Sequence, residues 1–91
     1  MKVKLFTTLK QLVGMGEIEV DLEGNNTVGS VLARLVADYP ALGEHIFDDD
    51  GNLEGYINLF VNRRSIRFLD GLNTRLNEDD MLAIFPPVAG G

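Results

Sequence analysis

The chain has 91 residues, of which 45% are apolar and 24% charged, with a net charge of −6 and no cysteine. This length allows one domain with one small core. The acidic balance argues against a nucleic-acid partner, because phosphate binding needs a basic surface. Without cysteine there can be no disulfide, thiolate metal site or thiol nucleophile.

The chain shows no sign of membrane insertion or export. No apolar run approaches the roughly 20 residues of a transmembrane helix, and residues 1–3 lead directly into a strand-like segment instead of a signal peptide. We therefore expect a cytoplasmic protein with no membrane partner.

The first part of the chain predicts two strands joined by a short helical turn. Residues 2–7 begin with polar and apolar side chains in alternation, as in a half-buried strand. Apolar residues within 9–13 fit a helical turn that Gly14 and Gly16 close. Residues 17–22 alternate strictly between acids and aliphatics, which is the clearest strand pattern in the chain.

The main helix is predicted from about Thr27 to Tyr39. Thr27 is a suitable N-cap, and Pro40 stops the helix. The apolar residues that follow Thr27 recur at helical spacing and form one continuous stripe, which consists of Val28, Val31, Leu32, Leu35, Val36 and Tyr39. Such a stripe must pack on a sheet or on another helix. Residues 41–47 are expected to form a further short turn.

The remaining segments complete an α+β pattern. Residues 57–62 predict a central strand, residues 65–67 a short one and residues 81–85 the last strand. One helix packed across one mixed sheet buries all these apolar faces. We expect the first and last strands to pair in parallel at the sheet centre. The prediction is one domain over residues 1–85, followed by a flexible tail over residues 86–91.

The tail is the most specific feature of the sequence. Pro86 and Pro87 lack backbone N–H groups, so a strand that ends at Phe85 cannot continue through them. They favour an extended path for the residues after them, and the chain finishes at Gly90 and Gly91. Because glycine has no Cβ, these residues can enter a narrow channel. The tail is expected to present its terminal carboxylate to another protein's active site.

Three phenylalanines are candidates for a docking surface. If the strand residues at 57, 59 and 61 face the helix, Phe60 points to the opposite face of the sheet. Similar alternation puts Phe85 there, and Phe6 is a weaker candidate. Exposed aromatic side chains beside the tail would mark a docking site. Arginines at 63, 64, 67 and 75 could pair with carboxylates of a partner or of this chain, and their role is left open.

Two candidate metal sites lack the residue types that a metal ion needs as ligands. If residues 48–51 belonged to a calcium-binding loop, Ile46 and Ile57 would take positions that require acidic ligands. The segment is therefore predicted to be a solvated turn. His45 is the single histidine of the chain, so no histidine-based site can form without borrowed ligands. No metal or bound cofactor is expected.

The chain resembles the MoaD/ThiS family of ubiquitin-like sulfur carriers along essentially its whole length. The resemblance is carried by residues 27–29, 39–42, 61–62, 70–74, 76–80 and 85–91. It implies a β-grasp fold and a non-catalytic carrier whose terminal Gly91 is activated, with Gly90, Pro86, Pro87 and Val88 leading to it. Ala89 stands where serine or threonine is frequent, and Asn62-Arg63 stands where Asn-Gly is usual; neither difference touches the reacting atom.

The resemblance also implies the chemistry and the partners. A ubiquitin-activating-type adenylating enzyme uses ATP to form an acyl-adenylate on Gly91, and sulfur then replaces AMP to give a thiocarboxylate. In the molybdopterin branch the carrier docks on the large subunit of molybdopterin synthase and donates sulfur to a pterin precursor. In other branches the activated glycine is joined to lysines of target proteins, or the sulfur is used for tRNA thiolation. Thiamin synthesis fits less well, because those carriers are usually shorter and lack the Pro-Pro pair. The sequence does not choose among the acceptors or fix the oligomeric state, and a simple binding module is the alternative of a different class.

Overall fold

The computed structural model describes residues 1–22 and 26–86. Within these ranges the strands are β1 (Lys2–Leu5), β2 (Glu17–Glu19), β3 (Asn58–Val61), β4 (Arg64–Ser65) and β5 (Met81–Phe85). The helices in the same ranges are α1 (Thr7–Val13), α2 (Val28–Asp38) and α3 (Pro40–Ile46), and short 3-10 turns cover Ile66–Phe68 and Gly71–Asn73. None of these helices is long and apolar enough to cross a lipid bilayer.

The strands form one mixed sheet in the order β2-β1-β5-β3-β4. β1 and β5 pair in parallel at its centre, with Val3 opposite Leu82, whereas the other neighbouring strands pair antiparallel. The predicted parallel pairing of the first and last strands is therefore confirmed. A mixed sheet crossed by one main helix is the α+β arrangement expected of a β-grasp domain.

Helix α2 begins where the sequence predicts, because its first turn is capped. Thr27 Oγ1 accepts a hydrogen bond from the Ser30 backbone N–H at 3.2 Å, and Ser30 Oγ accepts one from the Thr27 N–H at 2.9 Å. These reciprocal bonds form a capping box that satisfies two N–H groups left free at the helix start. The helix ends at Asp38, two residues before Pro40.

The predicted stripe of α2 packs on the inner face of the sheet. Val28, Val31, Leu32 and Leu35 are each at most 1% exposed and share one core with the inward residues of the sheet, which are Val3, Leu5, Ile18, Leu59, Val61, Leu82 and Ile84. Val36 was expected in the same core but is only half-buried. It lies at the margin of the stripe, beside Gly43 of α3.

Three segments differ from the sequence prediction. β2 ends at Glu19 and not at residue 22, with one further bond from the Val20 N–H to the Met1 carbonyl at 2.9 Å. The short strand predicted at 65–67 is β4 followed by a 3-10 turn, which begins where Ser65 Oγ accepts from the Arg67 N–H. The turn predicted at 41–47 is helix α3, since Pro40 has a fixed φ that suits a first helical position.

Candidate functional site

An open groove lies on the face of the sheet that the helices leave uncovered. Leu59, Val61, Leu82 and Ile84 are buried on the helix side, so alternation along the strands puts Phe60, Ala83 and Phe85 on the opposite side. The groove has a volume of about 1190 Å³ and is lined, among the described residues, by Lys4, Phe6, Thr7, Thr8, Asn58, Phe60, Asn62, Arg63, Met81, Ala83, Phe85 and Pro86. We call it the aromatic groove.

The three candidate phenylalanines meet in this groove. The rings of Phe6 and Phe85 stack with their centroids 4.3 Å apart and their planes 9° apart. Phe60 meets Phe85 edge to face, with centroids 5.4 Å apart and planes at 88°. The edge-to-face pair has a geometry that aromatic side chains favour. Phe60 and Phe85 were predicted to stand exposed on the sheet face away from the helix. They lie on that face, but their rings, like that of Phe6, are half-buried because they cover one another.

The backbone at the rim of the aromatic groove is unusual. Within the described ranges, the non-glycine residues with positive φ are Thr7 at 46°, Asn62 at 50° and Arg63 at 72°. All three line the groove. Residues other than glycine adopt this left-handed region at a cost in free energy, and such residues concentrate at functional sites. The unusual backbone and the half-buried aromatic rings therefore indicate the same surface.

The turn between β3 and β4 is held in place by Asn62. Its side-chain Oδ1 accepts a hydrogen bond from the Met81 N–H at 3.0 Å, and its Nδ2 donates to Asp80 Oδ1 at 2.7 Å. The other carboxylate oxygen of Asp80 accepts from the Asn77 N–H at 2.7 Å. These bonds tie the turn to the start of β5. Sequence reasoning noted Asn62 only as part of an unusual turn and missed this anchoring role.

The aromatic groove is cationic although the chain as a whole is acidic. Its charged lining residues, within the described part of the chain, are Lys4 and Arg63, and no carboxylate belongs to that lining. The net charge of the chain is −6, so the acidic surface lies elsewhere. The groove thus combines apolar rings with positive charge at its rim.

The predicted tail begins at this groove. Pro86 follows the last residue of β5, is buried, and lines the groove next to Phe85. The structure therefore brings together Phe6, Phe60, Phe85 and Pro86 from the predicted site. The other predicted members, Pro87, Val88, Gly90 and Gly91, lie outside the described residues.

The acidic loop after α3 has the geometry of a turn. Asp48 Oδ1 accepts hydrogen bonds from the N–H groups of Asp50 and Asn52, both at 2.9 Å, and Gly51 has a φ of 82°. Ile46 and Ile57 are buried in the core. The described ranges contain no group of three or more acidic or histidine side chains able to hold a metal ion.

The remaining polar candidates lie away from the groove. Nδ1 of the exposed His45 lies 3.2 Å from the Ala41 carbonyl oxygen of its own helix. The pKa of the exposed Tyr56 phenol is raised, first by a hydrogen bond with Glu54 and also by the charge of that carboxylate. None of these residues lines the aromatic groove.

Comparison with known proteins identifies a family for the whole chain. The family model described as "ThiS family" matches residues 3–91. Small archaeal modifier protein 1 of Haloferax volcanii is 40% identical over 91 residues, which cover all of both chains. Sulfur carrier protein CysO of Mycobacterium tuberculosis is 35% identical, over 98% of this chain and 96% of its own.

Solved structures show the same fold. The crystal structure of small archaeal modifier protein 1 from Haloferax volcanii matches with a TM-score of 0.89 and 39% identity, over 99% of this chain and 97% of its own. A crystal structure of the BexX/CysO complex of Amycolatopsis orientalis contains a chain that matches with a TM-score of 0.80 and 27% identity, over 99% of this chain and 98% of its own. The β-grasp fold expected from the sequence is confirmed.

Proposed function

The chain belongs to the ThiS family of ubiquitin-like sulfur carriers and modifiers, and on this basis we propose that its reacting group is the carboxylate of Gly91. In this proposal the protein is a cytoplasmic carrier and not a catalyst. It holds no cofactor of its own, and ATP is used by an adenylating enzyme of the ubiquitin-activating type.

The proposed reaction has two steps. A free α-carboxyl group has a pKa of about 3.5, so the terminus is an anion at neutral pH. The Gly91 carboxylate attacks the α-phosphate of ATP, pyrophosphate leaves, and an acyl-adenylate forms. Sulfide (HS⁻) released from a donor then attacks the acyl carbon and AMP leaves, which yields the thiocarboxylate. The adenylate is needed because a carboxylate by itself is a poor acyl donor.

The observation that supports this proposal best is that the aromatic groove adjoins the start of the tail. Pro86 lines the groove beside Phe85, and the five residues after it can reach at most about 17 Å when extended. A partner that binds in the groove thus has its active site within reach of Gly91. We propose Phe6, Phe60, Phe85 and Pro86 as the docking residues on the domain, followed by Pro87 and Val88 on the tail.

The first candidate for the sulfur acceptor is a pterin precursor. In that role the chain is the small subunit of molybdopterin synthase, and the large subunit is its second partner. The second candidate is conjugation of Gly91 to lysines of target proteins. It is favoured by the 40% identity to a protein described as a small archaeal modifier. Donation of sulfur for tRNA thiolation is a further variant of the carrier role.

The carrier chemistry is tested by intact-mass spectrometry. The purified chain is incubated with ATP, a sulfide donor and the adenylating enzyme of its source organism. We expect a mass increase equal to the exchange of one oxygen for sulfur, located on the C-terminal peptide. A chain that lacks Gly90 and Gly91 is the control and should show no change. A sulfur adduct at any other position would contradict the proposal.

The acceptor is tested separately. Cell extracts that contain the tagged chain are digested and searched for lysines joined to the C-terminal glycine through an isopeptide bond. Such lysines, absent when Gly91 is deleted, support the modifier function. If conjugates are absent and the thiocarboxylated chain sulfurates a pterin precursor on the large synthase subunit, the molybdopterin function is supported.

A further inference from the structure

Arg63 occupies a backbone position at which any residue other than glycine raises the free energy of the folded state. It is the second central residue of the two-residue turn between β3 and β4, and its φ is 72°. Hairpin turns with positive φ at both central residues favour glycine at the second, because a Cβ there is crowded. The backbone of this turn is fully compatible with glycine. The arginine side chain must therefore be explained by something other than the turn.

The described part of the domain offers no such explanation. The turn is anchored through the side chain of Asn62, which bonds to Met81 and Asp80. Arg63 makes no ion pair or side-chain hydrogen bond with another residue in the described ranges. Asp80, which contacts this turn through Asn62, already accepts hydrogen bonds from the Asn62 side chain and from the Asn77 N–H. Arg63 is exposed at the groove rim, and its guanidinium has no ion-pair partner among residues 1–22 and 26–86.

The other cation of the rim differs in this respect. Lys4 lies opposite Glu17 in the β1–β2 register, although the ion pair of Glu17 is with Lys2, at 3.9 Å. Lys4 thus has an acidic residue as its direct neighbour on the adjacent strand. Arg63 lies at the opposite side of the groove, at the end of β3. Among the described residues, no acidic side chain forms an ion pair with it. It is the cation best placed to interact with a molecule bound in the groove.

We propose that Arg63 is a specificity-determining residue that pairs with a carboxylate of the adenylating enzyme when that enzyme docks in the aromatic groove. This inference rests on the proposed function. In the complex, an apolar side chain of the enzyme contacts Phe60 and Phe85, and an acidic side chain lies at the rim against the guanidinium. Arginine suits this role because its planar, permanently charged group can form two parallel bonds with a carboxylate.

The test compares two charge reversals on adjacent residues. Arg63→Glu and Arg64→Glu each change the net charge from −6 to −8. Arg64 is exposed in β4 but is not among the described residues of the groove lining. ATP–pyrophosphate exchange is measured with the adenylating enzyme over a range of carrier concentrations. We expect Arg63→Glu to raise the KM for the carrier about tenfold or more with little change in kcat. Arg64→Glu should change the same KM by less than about threefold.

Arg63→Gly separates recognition from folding. It removes the charge and also relieves the positive φ, so its melting temperature should equal or exceed that of the wild type. Its KM should nevertheless rise by about threefold or more, and the KM should depend less on salt than in the wild type. A structural role for Arg63 alone would instead leave the KM unchanged.

The outcomes distinguish the inference from the function on which it rests. If the wild-type chain supports no exchange, the proposed function fails and the inference with it. If the wild type is active, but Arg63→Glu behaves like Arg64→Glu and Arg63→Gly retains the wild-type KM, the inference is wrong and the function stands.

Discussion

Phe85 makes two ring contacts in the aromatic groove, whereas Phe60 makes one. The stack on Phe6 joins the end of β1 to β5, and the edge contact joins β5 to β3. The groove rings therefore contribute to the fold as well as to the proposed docking surface. For this reason the effect of truncating each ring on stability must be separated from its effect on docking.

Truncation of Phe60 should weaken docking more than folding. Phe60→Ala loses one aromatic pair, which should lower the free energy of unfolding by about 1 kcal/mol. The same change should weaken binding to the adenylating enzyme by about 2 kcal/mol or more, as expected of a central aromatic side chain. Denaturant unfolding and titration calorimetry measure the two effects.

Phe68→Ala is the matched control, because Phe68 is 84% exposed and lies outside the groove lining. It should leave both free energies within about 0.5 kcal/mol of the wild type. If Phe60→Ala abolishes cooperative unfolding, Phe60 is part of the core. If the two variants bind the enzyme equally well, the groove is not the docking site.

At the scale of elements, α2 supplies most of the helical side of the core. Leu32 is fully buried in it, so Leu32→Ala should lower the free energy of unfolding by about 2–5 kcal/mol. Leu12→Ala provides the comparison, since Leu12 is 40% exposed and should lose less than about 1 kcal/mol. Equal losses by chemical denaturation would mean that the stripe of α2 is not the main core contact.

The crossing of α2 and α3 depends on a glycine. A Cβ at Gly43 would lie 2.8 Å from Val36 Cγ1, and valine in a helix has little freedom to move away. Gly43→Ala should therefore lower the free energy of unfolding by about 1 kcal/mol, since overpacking outweighs the gain in helix propensity. Gly55→Ala is the control, because nothing lies within 4 Å of the added methyl group.

A second substitution tests the cause of that loss. Val36→Ala makes room for the new methyl group, so the double variant should be more stable than the sum of the two single losses predicts. Strict additivity in thermal unfolding would show that the close approach of Gly43 to Val36 does not limit the packing of these helices.

Capping residues and short-range alternation in the sequence predicted that the helices and strands exist, but not always where they end. Thr27 marked the start of α2, and its capping box explains why the boundary is sharp. The alternation in residues 17–22 predicted β2, but the strand ends at Glu19 because pairing with β1 also depends on the length of β1. Residues 65–67 followed a strand pattern, although the Ser65 side chain bonds to the Arg67 N–H and starts a 3-10 turn.

The candidate site was predictable only in part. Alternation put Phe60 and Phe85 on the open face of the sheet, but the stack on Phe6 depends on the parallel pairing of β1 with β5 and on the turn into α1. The bonds of Asn62 to Asp80 and Met81 also join residues far apart in the chain. Periodicity within a single segment carries no information on such contacts.

At the scale of the whole molecule, the domain places a cationic, aromatic groove next to the start of its tail. We propose that the groove recognises a partner, and Pro86, the first residue of the predicted tail, lines the same surface. The groups that would activate the terminus belong to that partner in our account. We therefore propose that the terminal carboxylate reacts while the domain serves for recognition.

The most direct test is ATP–pyrophosphate exchange catalysed by the adenylating enzyme. The exchange rate is measured for the intact chain, for a chain lacking Gly90 and Gly91, and for a chain with one residue added after Gly91. All three should unfold at the same temperature, because the changes add or remove no core side chain. Only the intact chain should support exchange, since displacing a reacting group by even a small distance lowers the rate greatly. Equal exchange from the truncated chain would contradict the account, because the carboxylate of Gly91 could then not be the reacting group.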